Sequence, residues 1–197
     1  MQKVKLKEVL SYSAKRGNLK ELDINTYITT DNLLPDKKGI TIASGLPPNG
    51  NSFPKYAIND ILVSNIRPYL KKIWFANRDG LCSSDVLVFC VQKGYVPKFV
   101  YYSLLGDRFF DHAMKGAKGT KMPRGDKNQI LEFEIPAFPF STQIKIADLL
   151  SDIDTKIYLN NRINDNLSDS YFTLILPVIN IGNNQSLSKV SWKYRTN

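Results

Sequence analysis

Thr142-Gln143-Ile144-Lys145-Ile146-Ala147-Asp148-Leu149-Leu150-Ser151-Asp152-Ile153-Asp154 opens a segment that runs to Leu176 without glycine or proline. Pro136 and Pro139 precede it, and Ser141 or Thr142 can cap a helix at its start. Pro177 is the expected stop. Ile146, Ile153, Asn160, Leu167 and Leu174 fall seven apart, and Leu150, Ile157, Asn164 and Tyr171 form a second series offset by four. Together they draw a heptad seam along a helix about 50 Å long. A terminal helix packed on its own domain would carry a broader stripe. A narrow seam interrupted by Asn160 and Asn164 instead predicts a partner helix, with register favoured over maximal stability.

The 197 residues, 43% of them hydrophobic, suffice for one domain of moderate size plus this helix. No apolar run is long enough to span a membrane and no signal peptide opens the chain, so no membrane partner is expected. Cys82 and Cys90 are too few for a disulfide framework or a metal site and read as small apolar strand residues in a reducing, cytoplasmic setting. Net charge is +9. Residues 143–176 hold three basic and five acidic side chains, and the tail adds Lys189, Lys193 and Arg195. Removing −2 for the segment and +3 for the tail leaves +8 on the first 142 residues. A basic body with a mildly acidic helix points to a phosphate-bearing partner.

Along that body, Lys3 to Leu10 reads as a short opening helix, Arg16-Gly17-Asn18 as a turn, and Tyr27 to Thr30 as a β-branched strand. Strands follow at Asp60 to Ile66, Leu70 to Ala76 and Asp85 to Val91, with a hairpin-type turn at residues 77–80. Pro97 starts a helix that buries Val100, Tyr101, Leu104, Leu105 and Phe109 and ends near Met114 ahead of Gly116. Leu131 to Ile135 is the last strand. The expected fold is α+β, with a mixed or antiparallel sheet in residues 1–141, a long coiled-coil-type helix over 142–176 and a tail over 177–197.

No catalytic constellation emerges. Leu46-Pro47-Pro48-Asn49 lacks the aromatic residue of a methyltransferase tetrapeptide, and no glycine-rich cofactor turn accompanies it. Gly116-Ala117-Lys118-Gly119-Thr120-Lys121 misses the spacing of a phosphate loop. His112 is the only histidine, and Asp60, Asp79 and Asp85 have no Glu-x-Lys partner of the nuclease kind. No cofactor or metal is expected.

Two stretches carry binding chemistry. Lys115, Lys118, Lys121, Arg124 and Lys127 recur at every third position. Gly116, Gly119, Gly125 and Pro123 among them forbid a regular helix and let backbone N–H groups approach a surface. The lysines suit phosphate, the Arg124 fork suits a guanine edge, and Thr120 suits a phosphate or a thymine methyl. The second stretch, Ser64-Asn65-Ile66-Arg67-Pro68-Tyr69-Leu70-Lys71-Lys72, joins two apolar strands by a polar tip where Arg67, Tyr69, Lys71 and Lys72 can meet nucleic acid.

Read together, several stretches resemble the specificity (S) subunit of type I restriction–modification systems. They are Tyr27-Ile28-Thr29-Thr30-Asp31-Asn32-Leu33-Leu34-Pro35, Asn59 to Arg67, Gly119 to Arg124, and Ile135-Pro136 followed by Gln143 to Asp154. The last is the most specific: a strand ending in proline, then Gln-x-x-Ile-Ala-x-x-Leu-x-x-x-Asp at a helix start. The resemblance covers nearly all of residues 1–170. It implies a non-catalytic target recognition domain reading one half of a split double-stranded DNA sequence. It also implies a helix that docks methyltransferase (M) subunits and, through them, the restriction (R) subunit. Complete S subunits hold two recognition domains and two helices, whereas this chain holds one of each. A homodimer, or pairing with another S fragment through the seam, would supply the second half. The rival readings are a coiled-coil adaptor that binds only protein and a recognition module detached from a fused restriction or methylation enzyme.

Overall fold

Strands β5 (Ile61–Ser64) and β8 (Val86–Val91) lie side by side at the centre of the fold, antiparallel, with Ile61 opposite Phe89 and Val63 opposite Leu87. The computed structural model describes the backbone of residues 2–50 and 52–182, and side chains within them as far as Leu167. In chain order the elements are β1 (Lys3–Lys5), α1 (Leu6–Val9), β2 (Leu10–Tyr12), β3 (Arg16–Gly17), β4 (Phe53–Tyr56), β5, β6 (Ile73–Phe75), β7 (Gly80–Leu81) and β8. They continue with α2 (Pro97–Leu104), α3 (Asp107–Lys115), α4 (Lys127–Leu131), β9 (Glu134–Pro136) and α5 (Phe140–Gly182). Three antiparallel sheets form, in the orders β2-β8-β5-β6, β3-β4-β7 and β1-β9. The α+β expectation holds.

Both faces of the four-stranded sheet are covered, which explains the unbroken apolar runs of its central strands. Because successive side chains point to opposite faces, Ile61, Val63, Ile73, Leu87 and Phe89 enter one core with Phe99, Val100, Leu104, Phe109 and Phe110 of α2 and α3. Leu62, Trp74, Val86 and Val88 enter a second core with Ile28, Leu33, Tyr56 and Cys82. Burying each such side chain contributes about 1.5–3 kcal/mol. The first turns of α5 belong to the first core, where Ala147 is buried and Ile146 packs half-buried.

Several local expectations give way to specific competitors. Tyr27 to Thr30 makes a single parallel bridge, Ile28 to Cys82, instead of a strand. The buried Asn32 side chain accepts from Thr29 N at 2.6 Å and donates to Tyr27 O and Thr41 O, so it takes the backbone groups a strand would need. The helix after Pro97 is two helices, parted at Gly106, which stands extended before α3. Arg16-Gly17 is a strand, not a turn, and the opening segment splits into β1, α1 and β2. Gly80 turns away from β6 to pair with Tyr56 of β4. The α5 helix passes through Pro177 to Gly182. A proline removes one N–H bond and crowds the carbonyl four residues back, a local penalty that a helix already propagating on both sides can carry. Residues 183–197 of the expected tail lie outside the described residues.

The chain divides into two units, Met1–Leu150 and Ser151–Asn197. At one margin of the first, Glu132 receives Lys5 at 2.7 Å and Lys7 at 2.8 Å, linking the chain's start to the segment after α4. Hydrogen bonds and charge from Lys5 and Lys7 hold the Glu132 carboxyl down at about 2, from an ordinary 4.5. A carboxyl whose pKa is lower folded than unfolded stabilises the fold above its unfolded value and loses that contribution as pH falls toward the folded one. The three side chains are 42–49% exposed, so the effect is small and screened by salt. In chemical denaturation, Glu132→Gln should be less stable than the parent near neutral pH. The gap should close between about pH 4.5 and about pH 2.

Candidate nucleic-acid interface

The connection from β5 to β6 begins where Ser64 N reaches Lys72 O at 3.1 Å and Ser64 Oγ donates to Ile66 O at 2.9 Å. Arg67 and Lys71 flank a 3-10 turn over Pro68–Leu70, and both sit in the left-handed region, each at φ +51°. Asp36 and Lys37, also left-handed at φ +55° and +63°, donate their amides to Leu70 O and Lys71 O. Four non-glycine residues in that conformation within one junction are unusual, and such strain persists only where surrounding bonds over-determine it. Here the bonds include Lys37 and Lys71, which both pair with Asp107 of α3, at 2.9 and 3.0 Å, and hold its carboxyl below the ordinary range. Lys72 donates to Thr30 O. Lys71 and Lys72 thus brace the tip, while Tyr69 is half-exposed on it.

The basic loop after α3 folds into a small hairpin. Lys118 and Arg124 exchange both backbone hydrogen bonds at 2.9 Å and enclose Gly119, Thr120, Lys121, Met122 and Pro123. Gly119 turns the chain at φ +96°. Asp126 then caps α4 by accepting from Asn128 N and Gln129 N. Thr120, Lys121 and Met122 are exposed at the hairpin's end.

These two stretches, far apart in sequence, meet. Arg67 N donates to Pro123 O at 2.8 Å, Gly125 N donates to Asn65 O at 3.1 Å, and Ile66 bridges Arg124. Arg67, Tyr69, Lys118, Gly119, Thr120, Lys121 and Arg124 are therefore carried on joined backbone. The Arg124 Nη2 lies 2.9 Å from Asp85 Oδ1, and the Asp85 carbonyl accepts from Asn65 N at 2.8 Å. The Asn65 Oδ1 and Arg67 Nε are buried without a partner among the described residues. The two ends of the basic loop behave differently from its tip. Lys115 lines a groove of about 360 Å³ with Arg108, Asp111, His112, Glu132 and Glu134, where acidic and basic groups alternate. Lys127 stands 5.6 Å from the Tyr12 ring, whose hydroxyl donates to Lys127 O. Asn65 and Met122 lie inside the two stretches that the sequence singles out but have no role of their own there, and Asp85, weighed from sequence only as a nuclease-type carboxylate, gives no sign of its pairing with Arg124.

Along α5, Ile153, Ile157 and Leu167 are 45%, 53% and 63% exposed, and Asn160 and Asn164 are exposed between them. Leu149 and Ile163, also exposed, widen the apolar stripe on one flank. Ile146 is half-buried against the first core and Leu150 is half-buried, so the open seam starts at Ile153. The side chains of Tyr171 and Leu174 lie outside the described residues.

Comparison with known proteins decides the family. The type I restriction modification DNA specificity domain profile matches residues 1–169. The chain belongs to that family. A type I restriction enzyme EcoDI specificity subunit from Escherichia coli is 28% identical over 93 residues, covering 47% of this chain and 20% of its own. The crystal structure of an HsdS subunit from Thermoanaerobacter tengcongensis shares the fold, with TM-score 0.63, 17% identity and 88% of this chain covered. A type I restriction-modification S subunit from M. genitalium does so with TM-score 0.54 and 20% identity over 88% of this chain. This specificity-domain chain spans 46% of each of those solved chains and one fifth of the curated relative. Among the described residues no helix is long and apolar enough to cross a membrane, and no group of three or more His, Cys, Asp or Glu is placed to hold a metal.

Gly125 sits where the hairpin meets the tip, and a Cβ there would lie 3.0 Å from both Asn65 Oδ1 and Ile130 Cδ1. Overpacking of this kind costs about 1–3 kcal/mol. Gly125→Val should therefore part the two loops: amide exchange at Arg67 and Gly125 should accelerate while the amides of β5 and β8 stay protected.

Proposed function

We propose that this chain is a non-catalytic DNA-reading subunit that selects one half of a bipartite double-stranded target for a type I restriction–modification complex. The observation that carries the reading is the joining of the tip, where Arg67 is half-buried and Tyr69 exposed, to a hairpin that exposes Lys118, Thr120, Lys121, Met122 and Arg124, in a chain of this family. Lys118, Lys121 and Arg67 supply phosphate-seeking charge, while Arg124, Thr120, Tyr69 and Met122 offer groups suited to base edges. Lys71, Lys72, Lys115 and Lys127 contribute field from the periphery, since Lys71, Lys72 and Lys127 are drawn toward groups of the fold and Lys115 lines the groove of mixed charge. The chemistry of methylation and cleavage belongs in this reading to M and R subunits, so the chain itself needs no cofactor.

The seam of α5 supports the second half of the proposal. Exposed Ile153, Ile157 and Leu167 with Asn160 and Asn164 between them suit an equivalent helix, from a second copy or another S fragment, and a docking post for M subunits. Two readers joined by antiparallel seams would face two half-sites related by a two-fold axis.

Two experiments bear on these readings. In selection from a randomised duplex library, Arg124→Ala should relax one base position and cost about 1–3 kcal/mol on the selected site. Lys121→Ala should instead weaken all sequences alike and make the logarithmic salt dependence shallower by about one. In sedimentation at micromolar concentration the chain should run heavier than its 22.4 kDa monomer, and Ile157→Asp should shift it back. A monomer even with the M subunit present would remove the pairing role of the seam.

A further inference from the structure

We infer that Asp85 is a positioning residue that makes Arg124 a reader of a guanine edge in place of a phosphate contact. The inference rests on the DNA-reading function proposed above and deepens it by sorting one cation of the surface from the others.

Arg124 is fixed at both ends. Its backbone is locked to Lys118 in both directions at 2.9 Å, and its neighbours Pro123 and Gly125 are bonded to Arg67 and Asn65. Its far end is held by the Asp85 carboxylate at 2.9 Å. Asp85 is itself tied into the same circuit, because its carbonyl takes the Asn65 amide and the Asn65 carbonyl takes the Gly125 amide. Asp85, Asn65, Gly125 and Arg124 thus close a ring of contacts around the junction of the two loops.

The pair does little for stability, since the Arg124 side chain is 58% exposed and that of Asp85 29%. Its effect on recognition is larger. A phosphate approaching Arg124 would also meet the Asp85 charge a few ångströms away, so the net attraction and the counterion release are both reduced. A guanine edge is neutral and offers two acceptors, O6 and N7, in the plane of the base. The guanidinium carries five N–H donors in a rigid fork and meets Asp85 through Nη2, so a pre-oriented set of donors remains for such an edge. Lys121, at the exposed end of the same hairpin, is a flexible point charge and suits the backbone instead.

The test is selection of a randomised duplex library by the full chain, followed by binding to the selected and to random duplex across a salt series. The parent should specify a G·C pair that Arg124→Ala relaxes. Asp85→Ala should relax that same pair by about tenfold or more, yet bind random duplex at least as tightly and with a steeper salt dependence, because Arg124 is freed for phosphate. A residue that merely supported the fold would weaken both. Asp85→Asn keeps an acceptor at the same place without the charge, so it should recover discrimination while keeping the steeper salt dependence. That variant also decides the matter if Asp85→Ala does not fold. Discrimination unchanged in Asp85→Ala, or a salt dependence unchanged in Asp85→Asn, overturns the inference. If the parent selects a site but Arg124→Ala relaxes no position, the inference fails and the DNA-reading function stands. If the parent selects no sequence, that function fails and the inference with it.

Discussion

Two backbone hydrogen bonds, Arg67 N to Pro123 O and Gly125 N to Asn65 O, hold the candidate interface together. Neither depends on a side chain, and each end lies in a loop that glycine, proline or left-handed geometry has already bent. A loop of thirteen residues with a cation at every third position would repel itself and remain a solvated ensemble if left free. Pinning its middle to the β5–β6 connection orders the hairpin before any ligand arrives. The ordering entropy is then met during folding and not during binding.

The pinning works because what lies behind it is stiff. β5 delivers Ser64 to the tip from a sheet with both faces buried, so neither face can relax without opening a core. From the other side, Phe109, Phe110 and Ala113 seat α3 in the same core as Ile61 and Val63, and α3 delivers Lys115 to the start of the basic loop. Asp107, at the N-terminal end of α3, also takes Lys37 and Lys71 and so ties the helix to the strained residues of the tip. One packed core therefore fixes both origins of the interface, which brings residues far apart in sequence into a defined register.

What could be read from sequence followed from periodicity and composition, and what could not followed from distant partners. The strands around Ile61 and Val86, the helix after Pro97 and the heptad of α5 announce themselves through apolar spacing. The basic character of 115–127 is equally plain. The Tyr27 to Thr30 stretch misled because its β-branched residues match a strand, while the side chain that overrules them, Asn32, acts through hydrogen bonds with no periodic trace. Lys71 and Lys72 read from sequence as cations of a polar tip, and their bonds to Asp107 and Thr30 leave no trace there. Asp85 shows the same limit from the other side. Thirty-nine residues separate it from Arg124, and only the sheet and the junction bring the two within 2.9 Å.

Charge is distributed in this chain by task. A reader that relied on net charge alone would bind any duplex, since phosphate attraction carries no sequence information. Specificity needs some cations to lose their pull on phosphate while keeping their donors. In the proposed reading a neighbouring carboxylate would achieve that at Arg124, whereas Asp107 pairs with Lys71 in a place where the pair braces the tip. The acidic balance of residues 143–176 would serve the proposed pairing in the same way, because a helix that meets another helix gains nothing from an affinity for DNA. Its apolar seam is interrupted by Asn160 and Asn164, which in the proposed pairing would hold register at a cost in affinity, as Asp85 would favour selectivity at the hairpin. Under the proposed function, reader and helix would obey one rule: the groups that would bind most strongly are weakened where the choice of partner matters.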